Sequence, residues 1–374
     1  MITEVIRNIF RINLNVKKSE RVLIFSDRPN RTEQLDTTDR ERRSRLRCIV
    51  LLASEIGKPF AKEIMVREFP ATGNHGAEPP RLIWESAFGT RAVTALSRKG
   101  IFERIRKKRA GDSDLGAAEN IIRKYKKDAA HAVIALSNYS TSHTRFRDLL
   151  TRICQTRYAS MPLFELSMLE GPMNIDWKQL DKMTRDIARR VNKAVAIEIN
   201  TGNGSSISFA TKGRKAIADT GILRTPGAFG NLPAGEVYLA PVEGTAQGRL
   251  VLEWAPTREL RSPVTLDVQD GYVTAVAGKE AYVAELKKKL KARKENSNIA
   301  ELGIGTNSRA RRPDNILETE KILGTIHIAF GDNSSFGGNV KTPFHQDYVF
   351  FKPTVTLIQK DKSKHVLMKT GRIV

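Results

Sequence analysis

Five residues in the second half of the chain are of types that hold metal ions, and each stands in an unusual context. His327 lies in TIHIAF, an apolar strand pattern carrying one polar ring. His345 and Asp347 form a His-x-Asp step. In an extended segment residues i and i+2 point to the same side, so an imidazole and a carboxylate are presented together. Glu236 sits in NLPAGEVYLAP, where a Gly/Pro-rich loop becomes an apolar strand, and Glu301 sits inside the apolar stretch NIAELGIGTN. A buried carboxylate without a partner is costly, so such a residue is paired or coordinating. For each glutamate a salt bridge, with Arg214 or another of the many basic residues, stands beside ligation. His327 taken alone reads as a satisfied core histidine.

Taken together, Glu236, Glu301, His327, His345 and Asp347 make a nitrogen and oxygen ligand set. It suits Zn, Mn, Co or Fe(II) better than a thiolate-binding metal. Five protein ligands exceed the needs of one open catalytic zinc and match two metals sharing a carboxylate. The glycines of GDNSSFGGN (331–339) require a sharp turn. No helix pattern follows and no Gly-Lys-Ser/Thr ending closes the loop, so a phosphate loop is excluded. A tight or mobile loop beside the metal site is expected there, and Gly202-Asn203-Gly204 reads as a plain turn.

The elements that must position these residues fall into two halves. RVLIFSD (21–27), KEIMVREF (62–69), HAVIALS (131–137) and TRYASMP (156–162) read as strands. Helical patterns alternate with them at 44–58, at 79–88 with proline at the start, and from there to about 128. A further helix opens after SHT, with Ser142 or Thr144 as its cap. Strands alternating with helices imply a parallel sheet covered on its faces. After a helix at 176–194 the signals become strand after strand, among them AVAIEIN, SISFAT, EVYLAP and RLVLEWAP. VTLDVQDGYVTAV carries Asp-Gly between two alternating runs, a hairpin signal. A basic helix (279–294), NIAELGIGTN and the tail strands YVFFKPTVTLIQ and KHVLMKT complete the half. The expected fold is α/β: an N-terminal parallel-sheet α/β domain (1–165) and a C-terminal strand-rich mixed α/β metal-binding domain (166–374).

Composition narrows the function classes. The chain has 374 residues and a formal charge of +22. The basic residues are spread over several runs, such as RIRKKR (104–109) and KKKLKARK (287–294), that read as solvated helix faces. No zinc-finger spacing, aromatic RNA-binding motif or basic heptad region accompanies them, so nucleic acid is the less favoured partner. No apolar run reaches the roughly 18 residues of a membrane span. The N-terminus lacks the layout of a secretory signal, and a cytoplasmic protein is expected. Cys48 and Cys154 form no spacing pattern and suit a reducing compartment.

The motifs resemble those of the thermophilic-type metalloaminopeptidases, the family of aminopeptidases T and S. The likeness is carried by ERVLIFSD, SNYSTSHTRFRDLL with RYASMP, GAFGNLPAGEVYLAPVEGTAQG, NIAELGIGTN, and KILGTIHIAFGDNSSFGGN with HQD. It runs along most of the chain. The resemblance implies an α/β domain followed by a metal-bearing domain, assembly as a homodimer, and two divalent ions, Zn, Co or Mn. It places the ligands on Glu236, Glu301, His327, His345 and Asp347. It also implies a hydrolase that releases N-terminal amino acids from peptides with a metal-activated water, Glu236 or Glu301 shuttling the proton. One departure stands out. The family's catalytic tyrosine follows the first histidine by a few residues, and here Ser334 lies near that place, with Tyr348 the nearest tyrosine. The family is similar in turn to a mononuclear iron enzyme, dihydroxypyridine dioxygenase, which keeps the His-x-Asp pair and opens an aromatic ring. The alternative reading is therefore a mononuclear Fe(II) or Mn enzyme on a small aromatic, its site drawn from His327, His345 and Asp347. A third is a non-catalytic basic binding protein that retains the metal site.

Overall fold

Apolar runs that are continuous rather than alternating mark strands buried on both faces, and Val22–Asp27 is buried throughout. In the structure, a computed structural model describing residues 2–31 and 33–374, that run belongs to a parallel sheet of five strands. Their order is Glu63–Pro70, Arg21–Arg28, Ala132–Ala135, Arg157–Ser160 and Phe229–Asn231. This sheet organises the first of two units, Met1–Asn174 with Gly221–Pro233. Its core gathers Trp84, Phe88, Phe102, Phe146 and Tyr158, whose rings meet at centroid distances of 4.9 to 6.4 Å.

The helix Arg145–Arg152 opens at Thr144, whose hydroxyl accepts from the Arg147 amide at 3.1 Å. Ser142, the other candidate cap, instead shares a hydrogen bond with Ser160 at 2.9 Å. The helix expected from 44 starts earlier, at Thr37, where the Asp36 carboxylate caps the Asp39 amide. The last strand of the sheet, Phe229–Asn231, is only three residues long, too short to carry a periodic signal.

The second unit, Ile175–Thr220 with Ala234–Val374, holds two antiparallel sheets. The larger has eight strands, among them the hairpin Arg258–Gln269 and Tyr272–Ala277. Asp270 and Gly271 turn that hairpin with φ of 50° and 81°, the left-handed pair that a two-residue turn requires. The smaller sheet runs His345–Phe351, Thr325–Gly331, Ile299–Gly305, Glu236–Leu239 and Ile217–Asp219. One core joins residues of both sheets, including Val237, Leu302, Ile304, Ile326, Ile328 and Phe350 from the smaller one. The tail stretch read as one run of strand divides at Lys352-Pro353. His345–Phe351 stays in the smaller sheet and Thr354–Ile358 enters the larger. The fold is thus the mixed α/β architecture expected, a parallel sheet followed by strand-rich antiparallel sheets.

Candidate metal centre

The smaller antiparallel sheet brings the five candidate ligands to one face. Register explains how. Glu236 pairs with Gly305, Tyr238 and His327 with Gly303, Glu301 and Asp347 with Ala329, and His345 with Gly331. Each chemically equipped side chain therefore has glycine or alanine as a cross-strand neighbour on at least one side. Directly opposed residues come within about 5 Å, so a larger neighbour would fill the space the polar side chains need. The intervening residues, Val237, Leu302, Ile326 and Ile328, point to the core on the other face.

Among the described residues, Glu301, His345 and Asp347 each offer a ligand atom within 4.8 Å of one another. Nε2 of His345 lies 3.5 Å from both Glu301 Oε2 and Asp347 Oδ1. Its Nδ1 donates to the Asp332 carbonyl at 2.7 Å, which leaves Nε2 as the nitrogen facing the carboxylates. His345 is also the open member of the group, with a third of its side chain accessible (33 %). His327 lies deeper, 1 % exposed, with Nε2 3.2 Å from Glu301 Oε1 and 4.0 Å from Asp347 Oδ1. Its Nδ1 and Glu236 Oε2 are buried without a hydrogen-bond partner. Orphaned polar atoms beside convergent oxygens and imidazoles fit a hard or borderline cation.

The electrostatics follow from the crowding of carboxylates. Burial alone would strip the proton from His327, but Glu301, Asp347 and Glu236 outweigh it and hold the ring up to about 9. His345 is likewise lowered by burial and raised more strongly by Asp347 and Glu301, to about 10. Burial raises the Asp347 carboxyl, yet His345, His327 and Lys321 hold it well below the ordinary carboxylate range. Burial pushes Glu236 up to about 8 against the pull of Lys321. A ligated metal would displace the protons that the imidazoles carry here, since only neutral rings coordinate.

Three groups escaped the sequence reading: Lys321, its partner Glu320, and Tyr238. Lys321 is completely buried, with Nζ 2.8 Å from Glu236 Oε1 and 2.7 Å from Glu320 Oε2. The partner of Glu236 is thus Lys321, whereas Arg214 pairs with Glu243. Within the charged run ETEK nothing separates this lysine from a surface helix charge. Tyr238 is the third, two residues beyond Glu236 on the same face. Its ring meets Phe336 at 5.7 Å, and Phe336 meets His345 at 5.9 Å. The alternation that linked His345 to Asp347 applies equally to Glu236 and Tyr238.

The loop 331–339 is tight. Asn333 donates to Glu243 at 3.0 Å and accepts from the Val340 amide at 2.8 Å, and a side chain at Gly338 would overlap the Asn333 amide. Beside the ligands lies a small pocket of about 80 Å³ lined by Pro256, Ile316, Thr319, Glu320, His345, Gln346 and Asp347. Tyr348 does not line it, although its hydroxyl donates to the pocket residue Gln346 at 3.3 Å. It is 1 % exposed, stacks near Phe330 and shares a 2.7 Å hydrogen bond with Tyr282.

Comparisons with known proteins bear on this site. The family model described as NicX, 2,5-dihydroxypyridine 5,6-dioxygenase, matches residues 168–374, more than half of the chain. A curated protein of Pseudomonas putida named 2,5-dihydroxypyridine 5,6-dioxygenase is 26 % identical over 187 residues, covering 44 % of this chain and 53 % of that protein. The match spans about half the length of that relative. The structure of 2,5-dihydroxypyridine dioxygenase from Pseudomonas putida KT2440 aligns with 100 % of this chain and 96 % of its own, with a TM-score of 0.68 at 19 % identity. Wild-type AmpT from Thermus thermophilus aligns with 100 % of this chain and 98 % of its own, with a TM-score of 0.59 at 14 % identity. At these identities both structures show the fold alone. The expectation of an aminopeptidase and metalloprotease is corrected by these findings: the family and the curated relative carry a dioxygenase name, and the aminopeptidase likeness is one of fold. For the membrane question, no helix among the described residues is long and apolar enough to cross one.

Proposed function

The chain belongs to the NicX family, and on that premise we propose that it is a metal-dependent, ring-opening dioxygenase acting on a small hydroxylated aromatic such as a dihydroxypyridine. The observation that carries this reading is the convergence of Glu301, His345 and Asp347 beside a small pocket. Those three residues would hold one divalent ion, iron(II) or manganese. When bound, the metal supplies the redox chemistry with dioxygen that organic side chains lack.

The residues of the chain do the rest. His345 is fixed in orientation by its Nδ1 bond to the Asp332 carbonyl, so Nε2 is presented without rotamer search. His327 donates from Nε2 to Glu301 and thereby orients that carboxylate. Pro256 and Ile316 give the pocket apolar walls, while Glu320, Gln346 and Thr319 supply polar contacts for ring substituents. Glu320 is raised by burial above the ordinary carboxylate range and lines the pocket, so it is placed to take up a hydroxyl proton from the ring.

The test is direct. Protein loaded anaerobically with iron(II), and separately with manganese, is mixed with 2,5-dihydroxypyridine in air-saturated buffer. The expected outcome is oxygen uptake equal to loss of the ring absorbance. A fully loaded protein that consumes neither would end this reading.

A further inference from the structure

Lys321 offers a positive charge where a second metal ion would need to bind. Its side chain is 0 % exposed and its ammonium lies 2.8 Å from Glu236 Oε1 and 2.7 Å from Glu320 Oε2. The sheet register sets Asp219 directly across from Glu236, and its charge acts on the same ammonium. An ammonium is a compact point charge with three donors, close to a small cation in the contacts it demands. Burying it is costly unless carboxylates surround it, which they do here.

The five candidate ligands divide accordingly. Glu301, His345 and Asp347 converge on one point. A second ion would depend on Glu236 and His327, whose Oε2 and Nε2 lie 3.7 Å apart. Glu236 already serves the ammonium through its other oxygen, and Nε2 of His327 is engaged by Glu301 at 3.2 Å. A divalent ion placed between them would face a fixed positive charge bound to the same carboxylate. Water does not reach this buried ammonium to screen it, so the repulsion a divalent ion meets there is strong.

We propose that Lys321 is a built-in cation that occupies the place of a second metal and holds the centre to one ion. This rests on the metal site proposed above and deepens it. A ligand set that would otherwise read as two-metal becomes mononuclear through one lysine outside that set. It also predicts that Glu236 is a partner of Lys321 rather than a metal ligand.

The experiment measures ions per chain by elemental analysis after equilibration with zinc or manganese and gel filtration, for wild type, Lys321→Ala and Lys321→Ala/Glu236→Gln. The expected result is one ion in wild type, two in Lys321→Ala, and one again in the double variant. Two ions in wild type would overturn the inference while leaving a metal centre in place. No ion in wild type would remove the metal reading and the inference together. A folded Lys321→Ala that still takes one ion reduces the lysine to a structural salt bridge and overturns the inference alone. Lys321→Ala leaves Glu236 and Glu320 buried without their cation and can fail to fold. Glu236→Gln, which keeps the Lys321–Glu320 pair, is then decisive: its ion count and affinity stay at the wild-type value, whereas loss of metal would make Glu236 a ligand and the inference wrong.

Discussion

The ring of His327 lies directly over Gly303: a Cβ built at position 303 falls 2.0 Å from Nε2 of His327 and 1.9 Å from its Cε1. No side chain fits there. The requirement is for space, since Gly303 is not among the glycines with positive φ.

Gly303→Ala should therefore push His327 off Glu301. Overpacking of this kind costs about 1–3 kcal/mol, and losing the group that orients a ligand costs roughly 10–100-fold in metal affinity. Chelator-competition titration and thermal melting would read both. Wild-type affinity in a folded variant would mean that His327 plays no part in positioning Glu301.

His345→Ala and Asp347→Ala should each lose more affinity than Gly303→Ala, because they remove a ligand and not its support. Iron content after gel filtration is the readout. Retention of a full equivalent in either variant would move the centre elsewhere.

Tyr348→Phe tests the orientation of that strand. Removing the hydroxyl breaks its 2.7 Å bond to Tyr282 and its longer 3.3 Å bond to Gln346, at a cost of about 1 kcal/mol. Metal content should not change. A variant with normal stability and altered metal content would place the phenol in the site after all.

Glu78, in the first unit, supplies a pH signature of its own. It accepts the Arg145 and Phe146 amides at 2.6 and 3.0 Å at the start of a helix. Burial outweighs those bonds and raises its pKa from 4.5 to about 7. The folded value exceeds the unfolded one, so the folded state holds the proton more tightly between them. The contribution of this group to stability is thus fully present below about 4.5 and is lost as pH rises toward 7, by up to about 3 kcal/mol. Urea midpoints of wild type and Glu78→Gln should diverge across that window and run parallel above it. Parallel curves throughout would show that Glu78 keeps its ordinary value.

Much of the site was legible before the fold. A histidine in TIHIAF, a glutamate in NIAELGIGTN and the His-x-Asp step are visible because strand alternation is local, and a polar residue on an apolar beat stands out. The Asp-Gly hairpin is local in the same way, and so is the choice of cap between Ser142 and Thr144, which the structure resolves to Thr144. Resemblance overreached at the reaction: shared ligand types were read as shared hydrolysis, although a fold hosts several chemistries and function resides in the site.

What the sequence by itself determined is most of the longer strands and the residue types that meet on one face. Only the tertiary structure decided who pairs with whom. Glu236 and Lys321 are 85 residues apart, and nothing in either segment announces the other. The three-residue strand Phe229–Asn231 joins the parallel sheet across a similar gap. Glycines 303, 305 and 331 become meaningful only when register sets them opposite His327, Glu236 and His345. Burial and cross-strand register are non-local quantities. They assign Lys321 to the interior and give the metal-capable group the members Glu301, His345 and Asp347.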